Sequence, residues 1–166
     1  MILIAIGANL PLSKTSTVID TCQAAIIALR QIRGLSLVAT SPWYRTAAIP
    51  AGDQPDYCNG IARFRGAADP VALLAELHRI EAEFGRQRSV RNAARTLDLD
   101  IIDLNGLIRG SAPMLPHPST HRRAFVLQPI IDIAPAWRHP ILRETAASLL
   151  SDLAPQTIRP WFDSVH

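Results

Sequence analysis

Two aspartates on one predicted strand are the residues best placed to do chemistry. The segment Leu97–Ile102 reads Leu-Asp-Leu-Asp-Ile-Ile. Because side chains alternate along a strand, Asp98 and Asp100 share one face and the apolar residues take the other. Neighbouring carboxylates repel each other unless a cation lies between them, and Mg²⁺ accepts one or two carboxylates together with water and phosphate oxygens. The pattern alone fits a magnesium site and a solvent-facing strand edge equally well.

Arginines crowd the loop that leads into this strand, at Arg86, Arg88, Arg91 and Arg95. Guanidinium groups bind phosphate oxygens in a bidentate manner, so an arginine cluster beside paired carboxylates is typical of a site for a metal-bound polyphosphate. The alternative is mutual neutralisation of surface charges, which contributes little to stability. Four arginines and two aspartates together carry a net positive charge, which favours an anionic ligand.

The common nucleotide-binding motifs do not occur in this sequence. It contains no GxxxxGK[ST] segment and none of the glycine-loop, HRD or DFG elements of protein kinases. His117 and His121 are four residues apart, but HExxH is absent, so zinc is disfavoured and phosphate contact or loop packing is preferred. If the chain binds ATP, it uses another architecture.

Three further residues suit a flat heterocyclic ligand. Tyr57 and Phe125 are among the few aromatic residues, and either ring can stack on a heterocycle. Asn59 shares a predicted strand face with Tyr57, and its amide offers both a donor and an acceptor. For each ring taken singly, packing in the core is the more common role.

Hydrophobic periodicity and turn residues predict the elements that position these side chains. Asp69 and Pro70 mark the start of a helix that Gly85 ends. Pro42 interrupts the second strand. Leu107 and Ile108 are read as a short strand that pairs back. The predicted elements are strand 2–7, a helix capped by Ser13, Thr15 or Ser16 that runs to about 32, strands 35–45 and 57–65, helix 70–84, strand 97–104 and a helix near 144–153.

This β-α-β-β-α-β order predicts an α+β fold. We expect a ferredoxin-like antiparallel sheet with helices on one face and C-terminal additions, formed as a single domain over residues 1–166.

Composition supports a globular, cytoplasmic protein. The 166 residues are 48% apolar and 19% charged, which suffices for a core without disulfides or a structural metal. Cys22 and Cys58 form no CxxC pair and are read as reduced, buried thiols. No signal peptide or membrane span is recognised. The formal charge of +3 comes mostly from arginine, which suits a phosphorylated ligand or nucleic acid.

A set of collinear motifs between residue 2 and about residue 137 resembles the 6-hydroxymethyl-7,8-dihydropterin pyrophosphokinase family of folate biosynthesis. The block from Arg95 to Ile102 is the most specific of them. The motifs are Ile6–Leu10, Tyr44–Thr46, Asp53–Asn59, Ile80–Glu81 with Phe84–Arg88, Arg91–Ile102, Leu115–Pro118, and Arg123–Leu127 with Ile133–Pro135.

The resemblance implies transfer of pyrophosphate from ATP to the hydroxymethyl-dihydropterin, with release of AMP. By position, Asp98 and Asp100 match aspartates that hold two Mg²⁺ ions, and Arg86 and Arg95 match arginines that assist transfer. Residues on the ATP side are Glu81, Arg88, His117 and Arg123. Residues on the pterin side are Thr46, Ala47, Ile49, Tyr57, Asn59 and Phe125. The implied partners are these two substrates, with a monomer expected.

Two departures and two rival functions accompany this assignment. Residues 92–94 read Asn-Ala-Ala where many members have Trp and Gly-Pro, and Ala47-Ala48 replaces a frequent Pro-Pro. The fold and the basic charge also suit an RNA-recognition module, but aspartates on the fourth strand would repel RNA, so no nucleic-acid partner is expected. A catalytically silent pterin- or nucleotide-binding regulator is the second rival.

Overall fold

The computed structural model describes residues 1–48, 54–85 and 96–161. Within these ranges, two helices separate the first five strands into three groups, and a mostly helical C-terminal region follows. The elements are β1 Ile2–Ala8, α1 Val18–Leu29, β2 Leu35–Thr40, β3 Tyr44–Thr46, β4 Tyr57–Gly66, α2 Pro70–Glu83, β5 Asp98–Leu104, a 3₁₀ turn Thr120–Arg122, α3 Ala124–Ile133, α4 Ala146–Ser151 and β6 Arg159–Pro160.

The strands form one antiparallel sheet. Strand β1 lies between β5 and β4, both β2 and β3 pair with β4, and β6 pairs with β3. The second predicted strand is therefore divided in two around Pro42, which has no N–H to donate to a ladder. The predicted mixed fold with an antiparallel sheet is confirmed. The return strand predicted at Leu107 and Ile108 is wrong, and an isolated bridge joins Arg109 to Leu115 instead.

Helices α1 and α2 begin at side-chain caps. The cap of α2 is Asp69, as predicted, and its carboxylate accepts the N–H groups of Val71 and Ala72 at 3.0 and 2.9 Å. The cap predicted for α1 is wrong. Thr17 caps that helix through a capping box with Asp20, because this pair satisfies two helix-end donors reciprocally.

Helices cover both faces of the sheet, so the expectation of helices on one face holds only for α1 and α2. These two pack on the face that carries Ile2, Ile4 and Ile6 of β1. Helices α3 and α4 pack on the other face, against Leu3 and neighbouring apolar residues of β4 and β5. None of the described helices is long and apolar enough to span a bilayer.

A bulge in β5 changes which side chains face α3. The register with β1 shifts so that Leu3 pairs with Asp103 and Ile4 with Ile101. Asp103 is buried, and its carboxylate accepts the indole N–H of Trp137 at 2.6 Å and the backbone N–H of Gly106 at 2.7 Å. The third aspartate of this strand therefore ties the sheet to the C-terminal region, whereas Asp98 and Asp100 lie at the other end of the strand.

Candidate active site

A pocket of about 600 Å³ lies where α3 leaves its face of the sheet uncovered. This volume is within the usual range for small-molecule sites. Its floor comes from β1, β4 and β5, and one wall comes from the residues that lead into α3. Eight of the predicted site residues line it: Thr46, Ala47, Tyr57, Asn59, Asp98, Asp100, Arg123 and Phe125.

The two aspartates reach the pocket through their register with β1. Asp98 pairs with Gly7 and Asp100 pairs with Ala5, and both aspartates are partly exposed on the pocket side. The floor between them and β4 is open because Gly7 carries no side chain. A Cβ at that position would lie 3.3 Å from Oδ1 of Asn59 and 4.0 Å from Cβ of Asp98.

This donor set fits magnesium. Mg²⁺ uses one or two carboxylates and leaves its other positions to water and substrate phosphates, so it needs no closed cage of protein ligands. Among the described residues, no group of three or more His, Cys, Asp and Glu side chains is placed to hold a metal ion. Asp98 and Asp100 are therefore the residues that could hold Mg²⁺, and they could do so when phosphate completes the shell.

His117 lies beside the carboxylates. Its Nε2 is 3.9 Å from Oδ2 of Asp100, and its Nδ1 accepts the backbone N–H of Ser119 at 3.2 Å. Burial lowers the pKa of His117, the charges of Asp100 and Asp98 raise it, and the charge of Arg123 lowers it, with a net decrease. Because Nδ1 accepts a backbone N–H, the neutral ring carries its proton on Nε2, and this nitrogen faces Asp100.

The ends of β3 and β4 form the opposite side of the pocket. Tyr57 and Asn59 share a strand face, as predicted, and Asn59 is almost fully buried. Its Nδ2 donates to Oγ1 of Thr46 at 2.8 Å, which fixes the orientation of the amide. The hydroxyl of Tyr44 donates to Asp132 of α3 at 2.7 Å, so β3 is tied to the helix across the sheet. Burial, and then Asp132, raises the pKa of Tyr44 to about 12.

Phe125 and Arg123 form the wall at the start of α3. The Phe125 ring is partly buried against the core under α3 and also lines the pocket. The Arg123 guanidinium carbon lies 5.7 Å from the centre of that ring. An apolar surface and a cation therefore stand side by side on one wall.

Glu81 does not line this pocket. It is buried on α2, on the other side of the sheet, and its Oε1 accepts the backbone N–H of Leu99 at 2.8 Å. Leu99 lies between Asp98 and Asp100, so this bond fastens the strand segment that carries both carboxylates. The nucleotide-side role implied for Glu81 stays a prediction. Arg86, Arg88, Arg95 and Ile49 lie outside the described residues.

Sequence reasoning missed the contributions of Gly7 and Gln156 to the pocket. The sequence predicts Gly7 only as the last residue of a strand. Its pairing with Asp98, which leaves the pocket floor open, requires the register of β1 with β5. Gln156 gave no signal in the sequence, because its place depends on how the C-terminal segment docks.

Two bacterial enzymes are similar to this chain over most of its length. The 2-amino-4-hydroxy-6-hydroxymethyldihydropteridine pyrophosphokinase of Haemophilus influenzae is 40% identical over 132 residues, which cover 79% of each chain. The enzyme of the same name from Pseudomonas aeruginosa is 40% identical over 139 residues, which cover 82% of each.

A solved structure and a family model complete the comparison. A crystal structure of a Plasmodium falciparum HPPK-DHPS triple mutant matches with a TM-score of 0.67 at 12% identity, covering 90% of this chain and 42% of the other, and it shows likeness of fold. Residues 3–135 match the model of the 7,8-dihydro-6-hydroxymethylpterin-pyrophosphokinase family. Because this match spans most of the chain and both bacterial relatives are 40% identical over about four fifths of it, the chain belongs to that family.

Proposed function

We propose that this pocket is where the enzyme transfers a pyrophosphoryl group from ATP to the hydroxymethyl oxygen of 6-hydroxymethyl-7,8-dihydropterin, a step of folate synthesis. The observation that carries the assignment is the placement of paired carboxylates, Asp98 and Asp100, in one pocket with Tyr57, Asn59 and Phe125. The two aspartates suit metal-bound phosphates, and the two aromatic rings with the amide suit a heterocycle. The reacting atoms of the two substrates can therefore meet between these two groups of side chains.

The pterin binds on the side formed by β3, β4 and α3. Asn59, held by Thr46, presents an amide edge to the polar rim of the ring, where both donors and acceptors occur. Tyr57 and Phe125 supply aromatic surface for stacking. The chain at Thr46 and Ala47 lines the same side and offers backbone groups.

The triphosphate lies along the β5 edge. Asp98 and Asp100 would hold two Mg²⁺ ions, which when bound would neutralise phosphate charge and help align the in-line displacement. Arg123 and the Nε2–H of His117 contact phosphate oxygens, and the resemblance adds Arg86, Arg88 and Arg95.

In the reaction, the hydroxymethyl oxygen bonds to the β-phosphorus of ATP, and the bond from that phosphorus to the α–β bridging oxygen breaks, so AMP leaves. The hydroxyl proton is released to solvent. Positioning and electrostatics supply the rate enhancement, because none of the described side chains stands out as a general base.

Several finer assignments belong to this proposal. The strand order β5-β1-β4, with β2 and β3 beside β4, supports a ferredoxin-like topology whose second strand is divided. Two hydrophobic clusters packed on opposite faces of one sheet support one pyrophosphokinase domain over residues 1–166. A monomer in the cytoplasm, without nucleic-acid or membrane partners, stays a prediction from the sequence.

The proposal is tested by measuring AMP formed from ATP and Mg²⁺, with and without hydroxymethyl-dihydropterin. We expect AMP only when the pterin and Mg²⁺ are both present. Pterin binding without any AMP would favour the silent regulator, whereas RNA binding without pterin binding would favour the RNA-recognition module.

Gly7→Ala is expected to lower kcat/KM for the pterin by about 10-fold, corresponding to roughly 1.4 kcal/mol, without unfolding the protein. The added methyl group would crowd Oδ1 of Asn59, at 3.3 Å, on the open floor. Steady-state kinetics and thermal unfolding check this. Gly110→Ala is the matched control, because a Cβ there meets nothing within 4 Å. Equal kinetics for both variants would contradict the role of the open floor.

Phe125→Ala is expected to weaken pterin binding by about 1–3 kcal/mol, the usual cost of losing an aromatic stack on a base, and to change ATP binding much less. Calorimetry with the pterin, in the presence of an ATP analogue whose α- and β-phosphorus atoms are joined by a methylene group, measures the first value. Titration of the analogue alone measures the second. Equal losses for both ligands, or no loss for the pterin, would make Phe125 only a core residue.

A further inference from the structure

A C-terminal segment outside the family match forms part of the pocket wall. The family model matches residues 3–135, and Gln156 lies well beyond them. The amide of Gln156 makes two hydrogen bonds to the backbone before α3. Its Oε1 accepts the N–H of Ala124 at 2.9 Å, and its Nε2 donates to the carbonyl of Arg122 at 2.8 Å. These bonds flank Arg123 on both sides.

Helix α3 needs a partner of this kind. The first N–H groups of a helix have no partner within the helix, and a side-chain oxygen at the N-cap usually accepts one of them. Helices α1, α2 and α4 have such caps in Thr17, Asp69 and Thr145. The N-cap residue of α3 is Arg123, which makes no side-chain cap bond because a guanidinium only donates. The oxygen of Gln156 accepts the first N–H of the helix instead.

The segment that carries Gln156 is fastened on the other side of the pocket. Its strand β6 pairs with β3, with Arg159 opposite Arg45. The N–H of Trp161 donates to the carbonyl of Trp43 at 2.8 Å, and the guanidinium carbon of Arg45 lies 4.2 Å from the centre of the Trp161 ring. Gln156 is therefore held between β3, which ends at the pocket residue Thr46, and the start of α3.

We propose that Gln156 is a positioning residue for the reaction: it fixes the backbone from Arg122 to Ala124 so that Arg123 and Phe125 present their side chains to the pocket. The inference rests on the proposed function, in which Phe125 binds the pterin and Arg123 the phosphates. The side chains of both residues leave the backbone within one residue of the clamped groups, so a small shift there moves both.

Gln156→Ala tests this role, with the neighbouring Thr157→Ala as the control in the same exposed segment. We expect Gln156→Ala to lower kcat/KM for the pterin by about 10- to 100-fold, as small misplacements of substrate-binding groups do. Amide hydrogen exchange at Ala124, followed by NMR, is expected to become faster. The midpoint of thermal unfolding is expected to change little, because Gln156 is exposed, and Thr157→Ala should match the wild type in all three measurements.

A double-mutant cycle separates positioning from a general loss of structure. If Gln156 acts through Phe125, the loss in pterin binding for Gln156→Ala with Phe125→Ala will be smaller than the sum of the single losses. Strict additivity of the two losses would overturn the role of Gln156. So would a Gln156→Ala variant with the kinetics of the wild type and unchanged exchange at Ala124. In either case, normal turnover by the wild type would leave the proposed function intact. A wild-type protein that forms no AMP and binds no pterin would instead overturn the proposed function and this role with it.

Discussion

Asp98→Asn and Asp100→Asn are each expected to lower the rate of AMP formation by at least about 10³-fold, while the protein stays folded. The estimate follows from the several kcal/mol that a bound metal contributes to stabilising transition-state charge. Both side chains are partly exposed on the pocket side of β5, so an amide of nearly the same shape disturbs little packing. It removes one negative charge, and with it most of the attraction for Mg²⁺.

Asp103→Asn is the matched control for this pair, because Asp103 lies on the same strand but away from the pocket lining. Its carboxylate accepts two hydrogen bonds, from Trp137 and Gly106, and an amide has a single acceptor oxygen. We expect a loss of about 1–3 kcal/mol in the free energy of unfolding with kcat almost unchanged. Urea unfolding and AMP release at varied Mg²⁺ measure both quantities. Normal magnesium-dependent turnover in the Asp98 or Asp100 variant would contradict the metal assignment.

Local patterns predicted the parts of the site that depend on one strand. Alternation placed Asp98 with Asp100 and Tyr57 with Asn59, and the pocket contains both pairs. The start of α2 also followed from two adjacent residues, Asp69 and Pro70, whose chemistry acts locally.

Features that depend on tertiary packing could not be predicted in this way. Helix α3 contains Pro129 in its interior, which removes a backbone donor and disfavours a helix by local rules. Burial of Val126, Leu127 and Ile130 against the sheet outweighs that cost. The position of Gln156 depends in turn on the docking of β6 beside β3, which no local pattern encodes.

Arg95→Ala is expected to slow the chemical step by about 10³-fold, the lower range for an arginine that stabilises transferring phosphoryl charge, and to weaken ATP binding much less. Arg95 lies three residues before Asp98, the first residue of β5. Its proposed role is to stabilise charge that shifts between phosphates during displacement, so we expect a larger effect on the transition state than on the bound ground state.

The chemical step of the Arg95 variants is measured by rapid quench of a single turnover, which is free of product release, and ATP binding is measured by calorimetry. Arg95→Lys should restore activity only in part, because an ammonium keeps the charge but loses the bidentate geometry. Arg30→Ala is the control, since Arg30 is exposed at the end of α1, on the face of the sheet away from the pocket. If Arg95→Ala leaves the single-turnover rate unchanged and raises the dissociation constant for ATP, Arg95 acts in ground-state binding of ATP alone.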